Sequence, residues 1–183
     1  GLYALRAGKD PADAAAVEAL LPAVTLTLAH VDGAQHIYLN GEDVSEAIRQ
    51  EQVGMAASAV AVHPAVRSFL LGQQRAIAST NNVLMDGRDI GTVVLPDAQV
   101  KIFLTASPEA RAARRAAELA AKGQPADYET VLADIRRRDD QDTHRAAAPL
   151  CQAEDAVLAD TSELDFEQSF QLLRAIIREK AEV

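Results

Sequence analysis

A chain of 183 residues, 49 % of them apolar, is long enough for one good hydrophobic core, or for a core carrying one or two small excursions. Eighteen basic residues against 27 acidic ones leave a net charge of −9, which argues against a nonspecific nucleic-acid or anionic-membrane surface while leaving room for a small phosphorylated ligand held by a local arginine cluster. The single cysteine, Cys151, excludes an internal disulfide and a multi-cysteine metal site. It suits a reducing compartment, and with no signal peptide and no apolar run near the roughly 18 residues of a membrane span, a cytoplasmic protein is expected.

The chain starts at Gly1 without a methionine, and Leu2, Tyr3 and Leu5 read as the middle of an apolar-faced helix that stops near Gly8, so a segment upstream is expected. Asp10 is placed to cap a helix with Pro11 at its first position and Val17, Leu20 and Leu21 on its apolar face. The period then changes from helical to alternating. Val24, Leu26 and Leu28 alternate with threonines, Asp32-Gly33 supplies a hairpin turn, Ile37 and Leu39 alternate with His36 and Tyr38, and Asn40-Gly41 turns the chain again toward Val44. This predicts a small antiparallel meander. Ser45 opens a helical region through Met55, Val60 and Val62; His63-Pro64 breaks it, and a second helix carries Val66, Phe69, Leu70 and Ile77 to Asn81-Asn82.

The second half reads as strand, strand, helix, helix, strand, helix. Val83-Leu84-Met85 runs straight into Asp86-Gly87, which predicts a buried strand opening into a loop that holds Asp86, Arg88 and Asp89. In an open α/β sheet the carboxyl ends of strands are where ligands sit, which marks these charges as a candidate site. Val100 to Leu104 is a strand, and Ser107-Pro108-Glu109 starts an Ala-rich helix with Arg111, Arg114 and Arg115 that ends near Gly123. Its thin apolar face suggests a mobile segment. A second helix begins near Asp127 and continues into the run Arg136 to Arg145. Ala156 to Asp160 is a parallel-type strand, and Asp165 with Gln168 makes a capping box for a last helix whose Phe166, Phe170, Leu173, Ile176 and Ile177 are expected to pack on the sheet. Cys151 is expected to pack as a small hydrophobe, and Glu42 and Asp43 to serve their turn. His30, His36, His63 and His144 have no ligand spacing.

Arg138, Asp142 and Arg145 fall at i, i+4 and i+7 and share one helix face. Two arginines flanking a carboxylate can hold a phosphate and a sugar hydroxyl together, because the guanidinium fork matches phosphate oxygens and the carboxylate accepts from a hydroxyl. A salt-bridged surface helix would have the same spacing. The second charged cluster favours the first reading: an aspartate at the end of a strand, Asp86, can position magnesium or its water, and Arg88 beside it can meet a phosphate. Two phosphate-suited clusters on an α/β frame point to phosphoryl transfer.

The segments Asp86-Gly-Arg-Asp-Ile-Gly-Thr-Val-Val, Pro96-Asp-Ala, Lys101-Ile-Phe-Leu and Arg138-Asp-Asp-Gln-Asp-Thr-His-Arg resemble the bacterial cytidylate kinase family. Gly41-Glu-Asp-Val-Ser, Ala56-Ala-Ser and Pro64-Ala-Val-Arg resemble it in the same order, so the likeness covers nearly the whole chain. The resemblance implies an α/β fold of the P-loop kinase type: a three-layer core with a parallel sheet, a small α+β monophosphate-binding insert at 24–82, and a short helical lid at about 111–126. Residues 1–23 and 83–183 would form the core. It implies a nucleoside monophosphate kinase moving the γ-phosphoryl group of ATP onto CMP or dCMP with Mg2+, a monomer with no nucleic-acid or membrane partner. By position, Ser58, Arg67 and Asp89 would read the cytosine edge, Arg88 would hold the CMP phosphate, and Arg138, Asp142 and Arg145 would serve the sugar and phosphates. Asp86, Arg88 and Arg138 would be the catalytic set, Asp86 sitting near the magnesium without binding it directly, and Arg114 or Arg115 would be a lid arginine.

The sequence departs from the family in two respects. The glycine-rich loop with its lysine, G-x-x-x-x-G-K-[ST], does not occur, and the family's Tyr-Arg pair is absent, since Tyr3 does not match it. The sequence is therefore expected to be a partial record of a complete enzyme; a protein that truly began at Gly1 would be inactive as a kinase. The competing readings are a kinase for another monophosphate, separable through Ser58, Arg67 and Asp89, and a noncatalytic nucleotide-binding module.

Overall fold

Two Asx-Gly dipeptides set the architecture of the first half. Asp32 and Gly33 take φ of 52° and 80°, and Asn40 and Gly41 take 52° and 86°, the paired left-handed conformations that a tight hairpin turn needs. They join β1 (Leu26–Val31), β2 (Ala34–Leu39) and the short β3 (Glu42–Asp43) into an antiparallel meander of order β1-β2-β3, with Leu28 opposite Ile37 and Leu26 opposite Leu39. The Asn40 side chain ties the meander's open end, accepting from the Thr25 amide at 2.7 Å and donating to the Ala23 carbonyl at 2.9 Å. The computed structural model describes residues 1–145 and 148–181, which divide into two compact units, Gly1–Asn82 and Val83–Val183.

Four helices complete the first unit: α1 (Leu2–Arg6), α2 (Ala14–Glu18), α3 (Glu51–Val60) and α4 (Pro64–Thr80). Gly8, at φ 64°, lets the chain leave α1. Ala4, Val17, Val60 and Val66, one from each helix, form a shared buried cluster on which Leu20 and Leu21 pack. The cap of α2 differs from the sequence expectation. Asp13, not Asp10, accepts from the Ala16 amide at 3.1 Å, while Asp10 accepts from the Ala12 amide and closes the preceding turn. Asx residues compete for such amides, and the one whose backbone is extended, Asp13 with φ −80° and ψ 101°, takes the cap. The helical region after Ser45 is also interrupted: a short 3-10 turn at Ala47–Arg49 precedes an extended Gln50, and only then does α3 begin.

The second unit contains β4 (Ile102–Thr105), α5 (Pro108–Ala121), α6 (Tyr128–His144), β5 (Val157–Asp160) and α7 (Phe166–Ala181). β4 and β5 pair in parallel, Ile102 opposite Val157 through Thr105 opposite Asp160. Ser107 caps α5 by accepting from Ala110 N, Asp127 caps α6 by accepting from Thr130 N, and Asp165 and Gln168 cap α7 reciprocally at 2.8 and 3.0 Å. Gly123, at φ 72°, follows the end of α5.

Three expectations are corrected here. Val83-Leu84-Met85 forms no strand, and Leu84 is 93 % exposed. An apolar run becomes a strand only when a neighbour supplies its ladder, and among the described residues the parallel sheet consists of β4 and β5 alone. The apolar face of α7 is only half used for the same reason: Ile176 is buried, but Phe166 is 87 % and Phe170 50 % exposed, since two strands are too narrow to cover the helix. Cys151 is exposed rather than packed, sitting in irregular chain between α6 and β5.

Candidate active site

The loop after residue 85 is shaped by backbone hydrogen bonds rather than by strand pairing. The Asp89 carbonyl accepts from the amides of both Val93 and Val94, at 2.9 and 3.1 Å, and the Ile90 carbonyl accepts from Leu95 at 2.7 Å, which winds Ile90–Val94 into a π-helical turn. A Cβ at Gly87 would lie 2.8 Å from Cγ1 of Ile90, so a side chain there would push the Ile90 side chain aside. Gly91 has the Lys101 side chain against it, with a Cβ reaching Lys101 Cδ at 3.4 Å, and Lys101 Nζ is itself held 2.7 Å from the Asp155 carboxylate. The turn thus sets the backbone of Asp89, and Arg88 precedes it.

Helix α6 supplies the other half. Arg88 Nε donates to Asp142 Oδ2 at 2.7 Å, and this pair spans 54 residues of sequence. Arg145 lies one turn further on, with Nη1 3.9 Å from Asp142 Oδ1 and Nη2 3.9 Å from Asp89 Oδ1. Those distances are too long for hydrogen bonds. Arg145 Nε donates to the Ala148 carbonyl at 2.6 Å, which fixes the guanidinium, yet Nη2 is buried and has no hydrogen-bond partner among the described residues. A buried donor without an acceptor costs about 1–3 kcal/mol, and such a cost persists in a folded protein where a ligand relieves it. Two carboxylates, Asp89 and Asp142, and two guanidiniums, Arg88 and Arg145, are gathered in one charged cluster.

Arg88, Asp89, Asp142 and Arg145 are linked by ion pairs, so that members of the two clusters the sequence reads separately lie together. Asp86 is exposed at the start of the same loop, and Arg138 is exposed on α6, one turn before Asp142. Ser58, exposed on α3, and Arg67, half-buried on α4, belong to the first unit. The two lid candidates differ in what they do. Arg114 donates through Nη2 to the carbonyls of Thr161 and Leu164, the latter at 3.0 Å, and through Nη1 to Thr161 Oγ1 at 3.4 Å, so it staples α5 to the chain after β5. Among the described residues Arg115 pairs only with Glu118, one turn on, at 2.8 Å. Glu118 also accepts from Lys122, and these two cations hold its carboxyl down at about 2.

Sequence reasoning missed Asp139. It accepts both forks of Arg111, at 2.8 and 2.6 Å, and those hydrogen bonds, with the charges of Arg111, Arg88 and Arg138 behind them, hold its carboxyl below the ordinary range. His144 takes the bland role, 3.0 Å from the Asp140 carbonyl and largely exposed. Glu42 and Asp43 do more than serve a turn: Glu42 forms a two-pronged pair with Arg6 at 2.7 and 2.8 Å, and Asp43 accepts from Ser45 and lies 2.6 Å from His36, holding its carboxyl at about 2. Among the described residues, no group of three or more His, Cys, Asp and Glu is placed to hold a metal ion, and no single helix is long and apolar enough to cross a membrane.

Arginines and carboxylates clustered between a loop and the end of a helix, in a unit that carries a parallel sheet, are the equipment of a phosphotransferase, whose catalysis rests on positioning and charge stabilisation. Comparison with known proteins agrees. The family model described as cytidylate kinase matches residues 1–179. A cytidylate kinase of Mycolicibacterium paratuberculosis is 50 % identical over 183 residues, covering 100 % of this chain and 80 % of the relative. One from a Geobacillus species is 47 % identical over 168 residues, 92 % of this chain and 75 % of the relative, and one from Syntrophotalea carbinolica is 41 % identical over 182 residues, 100 % and 77 %. The chain belongs to the cytidylate kinase family.

Proposed function

We propose that the protein transfers the γ-phosphoryl group of ATP to CMP or dCMP. A phosphate oxygen of the monophosphate attacks the γ-phosphorus, the bond to the β,γ-bridging oxygen breaks, and ADP leaves with the electron pair while the nucleoside diphosphate forms. The observation that carries the reading is the clustering of Arg88, Asp89, Asp142 and Arg145, in which the buried Arg145 Nη2 has no hydrogen-bond partner among the described residues. Arg88 and Arg145 would hold the monophosphate, and Arg138 would approach the transferring group. Asp142 would accept from a sugar hydroxyl once Arg88 turns to the phosphate.

Residues 24–82 act as the monophosphate-binding insert in this reading, and residues 111–126 as the lid. Ser58, Arg67 and Asp89 read the cytosine edge. A carboxylate suits that edge because it accepts from the exocyclic amine, and a base without that donor leaves the carboxylate desolvated and unpaired. Arg115, exposed and paired only within its own helix, suits the lid contact better than the stapled Arg114. Magnesium is held in such enzymes by one or two carboxylates together with substrate phosphates, a donor set that the exposed Asp86 fits through a bridging water. When bound, it neutralises charge on the β- and γ-phosphates.

A coupled ADP-release assay on the full-length protein, with ATP, Mg2+ and each monophosphate in turn, tests the proposal. Turnover on CMP and dCMP well above that on AMP, GMP and UMP is expected. Equal turnover on all of them would sink the cytosine assignment, and none on any would sink the kinase reading.

A further inference from the structure

We propose that Arg111 and Asp139 form a clamp that sets the rotation of α6 about its axis and so aims Arg138, Asp142 and Arg145 at the monophosphate, making Arg111 a positioning residue for the transfer. The inference rests on the reading of α6 given above. Arg111 is anchored twice. Its Nε donates to the carbonyl of Ala106 at 2.9 Å, the residue directly after β4, and its Nη1 and Nη2 donate to Oδ1 and Oδ2 of Asp139 at 2.8 and 2.6 Å. One planar group thereby links the carboxyl end of the sheet to the middle of α6.

A two-pronged fork fixes direction as well as distance, which a single hydrogen bond cannot do. Asp139 adjoins Arg138 and lies three residues before Asp142 on the same helix, and Arg145 directly follows that helix as its extended C-cap residue. A rotation of α6 by about 20° would carry a side-chain tip, about 6 Å from the axis, through about 2 Å. Catalytic geometry tolerates about 0.5 Å, and a misplacement of about 1 Å can cost two orders of magnitude. The other link between α5 and α6, Glu109 to Arg136 at 2.6 Å, is made by a single pair of oppositely charged atoms between side chains more than half exposed, so it contributes little to aim.

The test uses the full-length enzyme and compares Arg111→Met, Asp139→Asn, the double variant and Glu109→Gln with the parent. For a clamp, Arg111→Met and Asp139→Asn each lower kcat/KM for the monophosphate by about 10- to 100-fold, the double variant falls no further than either single one, and the KM for ATP moves less than about twofold. Glu109→Gln stays within about twofold of the parent. Amide hydrogen exchange along 138–145 rises in the Arg111 and Asp139 variants while that of α7 does not. The proposal is overturned if Asp139→Asn, which is isosteric and leaves the core intact, keeps the parent's kcat/KM, or if Arg111→Met instead raises the KM for ATP, which would mark Arg111 as a direct ligand of the donor. Failure of the functional reading shows separately, as a parent enzyme that phosphorylates no monophosphate, and hydrogen exchange still reports on the clamp in that case.

Discussion

Replacing Arg145 with lysine separates a binding role from a structural one, because the two make opposite forecasts for stability. Among the described residues the guanidinium makes one hydrogen bond, Nε to the Ala148 carbonyl at 2.6 Å, and carries one buried donor, Nη2, with no hydrogen-bond partner. Its distances to Asp89 and Asp142, 3.9 Å each, leave only weak attraction. Lysine keeps the charge but gives up the fork. The lost contact to Ala148 costs about 1 kcal/mol, and removing the unpaired donor returns about 1–3 kcal/mol, so the variant is expected to be as stable as the parent or slightly more so. Toward substrate the balance reverses. A charge-assisted hydrogen bond to a phosphate or sugar oxygen contributes about 1.5–3 kcal/mol, and at about 1.4 kcal/mol per factor of ten its loss lowers kcat/KM by roughly 10- to 150-fold. Thermal unfolding monitored by circular dichroism, with the coupled ADP assay on CMP, reads both. A melting temperature lowered by several degrees together with an unchanged kcat/KM would refute the reasoning and make Arg145 a structural residue.

Asp89→Ala is expected to narrow the gap in kcat/KM between CMP and other monophosphates by about tenfold or more, while binding of inorganic phosphate changes little; an unchanged base preference counts against the cytosine assignment. Asp165→Ala removes one half of the reciprocal cap of α7 and should cost about 1 kcal/mol, seen in urea titration as a lower midpoint with an unchanged slope. For pH, Asp139 has a depressed folded-state value, so its contribution to stability is present above the ordinary carboxylate range near 4 and is lost as the pH falls through the folded value. The melting temperature of the parent should therefore drop more steeply than that of Asp139→Asn between pH 5 and about 3, by a modest amount because the pair is one-third exposed and solvent screens it. Parallel curves would show that the pair does not couple to folding.

What could be read ahead of the structure was local chemistry. Asp32-Gly33 and Asn40-Gly41 announced their turns, and Ser107-Pro108 and Asp165 with Gln168 announced their helices, all through interactions spanning a few residues, whereas the spacing that put Arg138, Asp142 and Arg145 on one helix face holds only for the first two, because α6 ends at His144 and Arg145 is extended. What could not be read was whether an apolar segment has a neighbour. Val83-Leu84-Met85 has the composition of a buried strand, and Phe166 and Phe170 have the spacing of a buried face, but the pattern records only the capacity for burial. The same limit hid the clamp. Arg111 and Asp139 stand 28 residues apart, each inside a run of similar charges, and only the packing of α5 on α6 selects this pair from the alternatives.

The distribution of ion pairs explains how an acidic chain can keep an anion site. Arg88, Arg111, Arg136 and Arg137 each have a carboxylate partner, Asp142, Asp139, Glu109 and Asp134, but the partners differ in how readily they release the cation. Arg111 is held by two parallel bonds and a backbone carbonyl, so an arriving anion would have to break three contacts to recruit it. Arg88 is half exposed and makes one bond, to Asp142, at a surface position where such a pair contributes roughly 0–1 kcal/mol. Under the proposed function, a phosphate carrying nearly two charges would displace that single carboxylate oxygen, and Asp142, 3.9 Å from Arg145, would then accept a hydroxyl. In the proposed reading, weak pairing at Arg88 and strong pairing at Arg111 are two parts of one arrangement: the first group would change partners, and the second would keep α6 from turning when that happens.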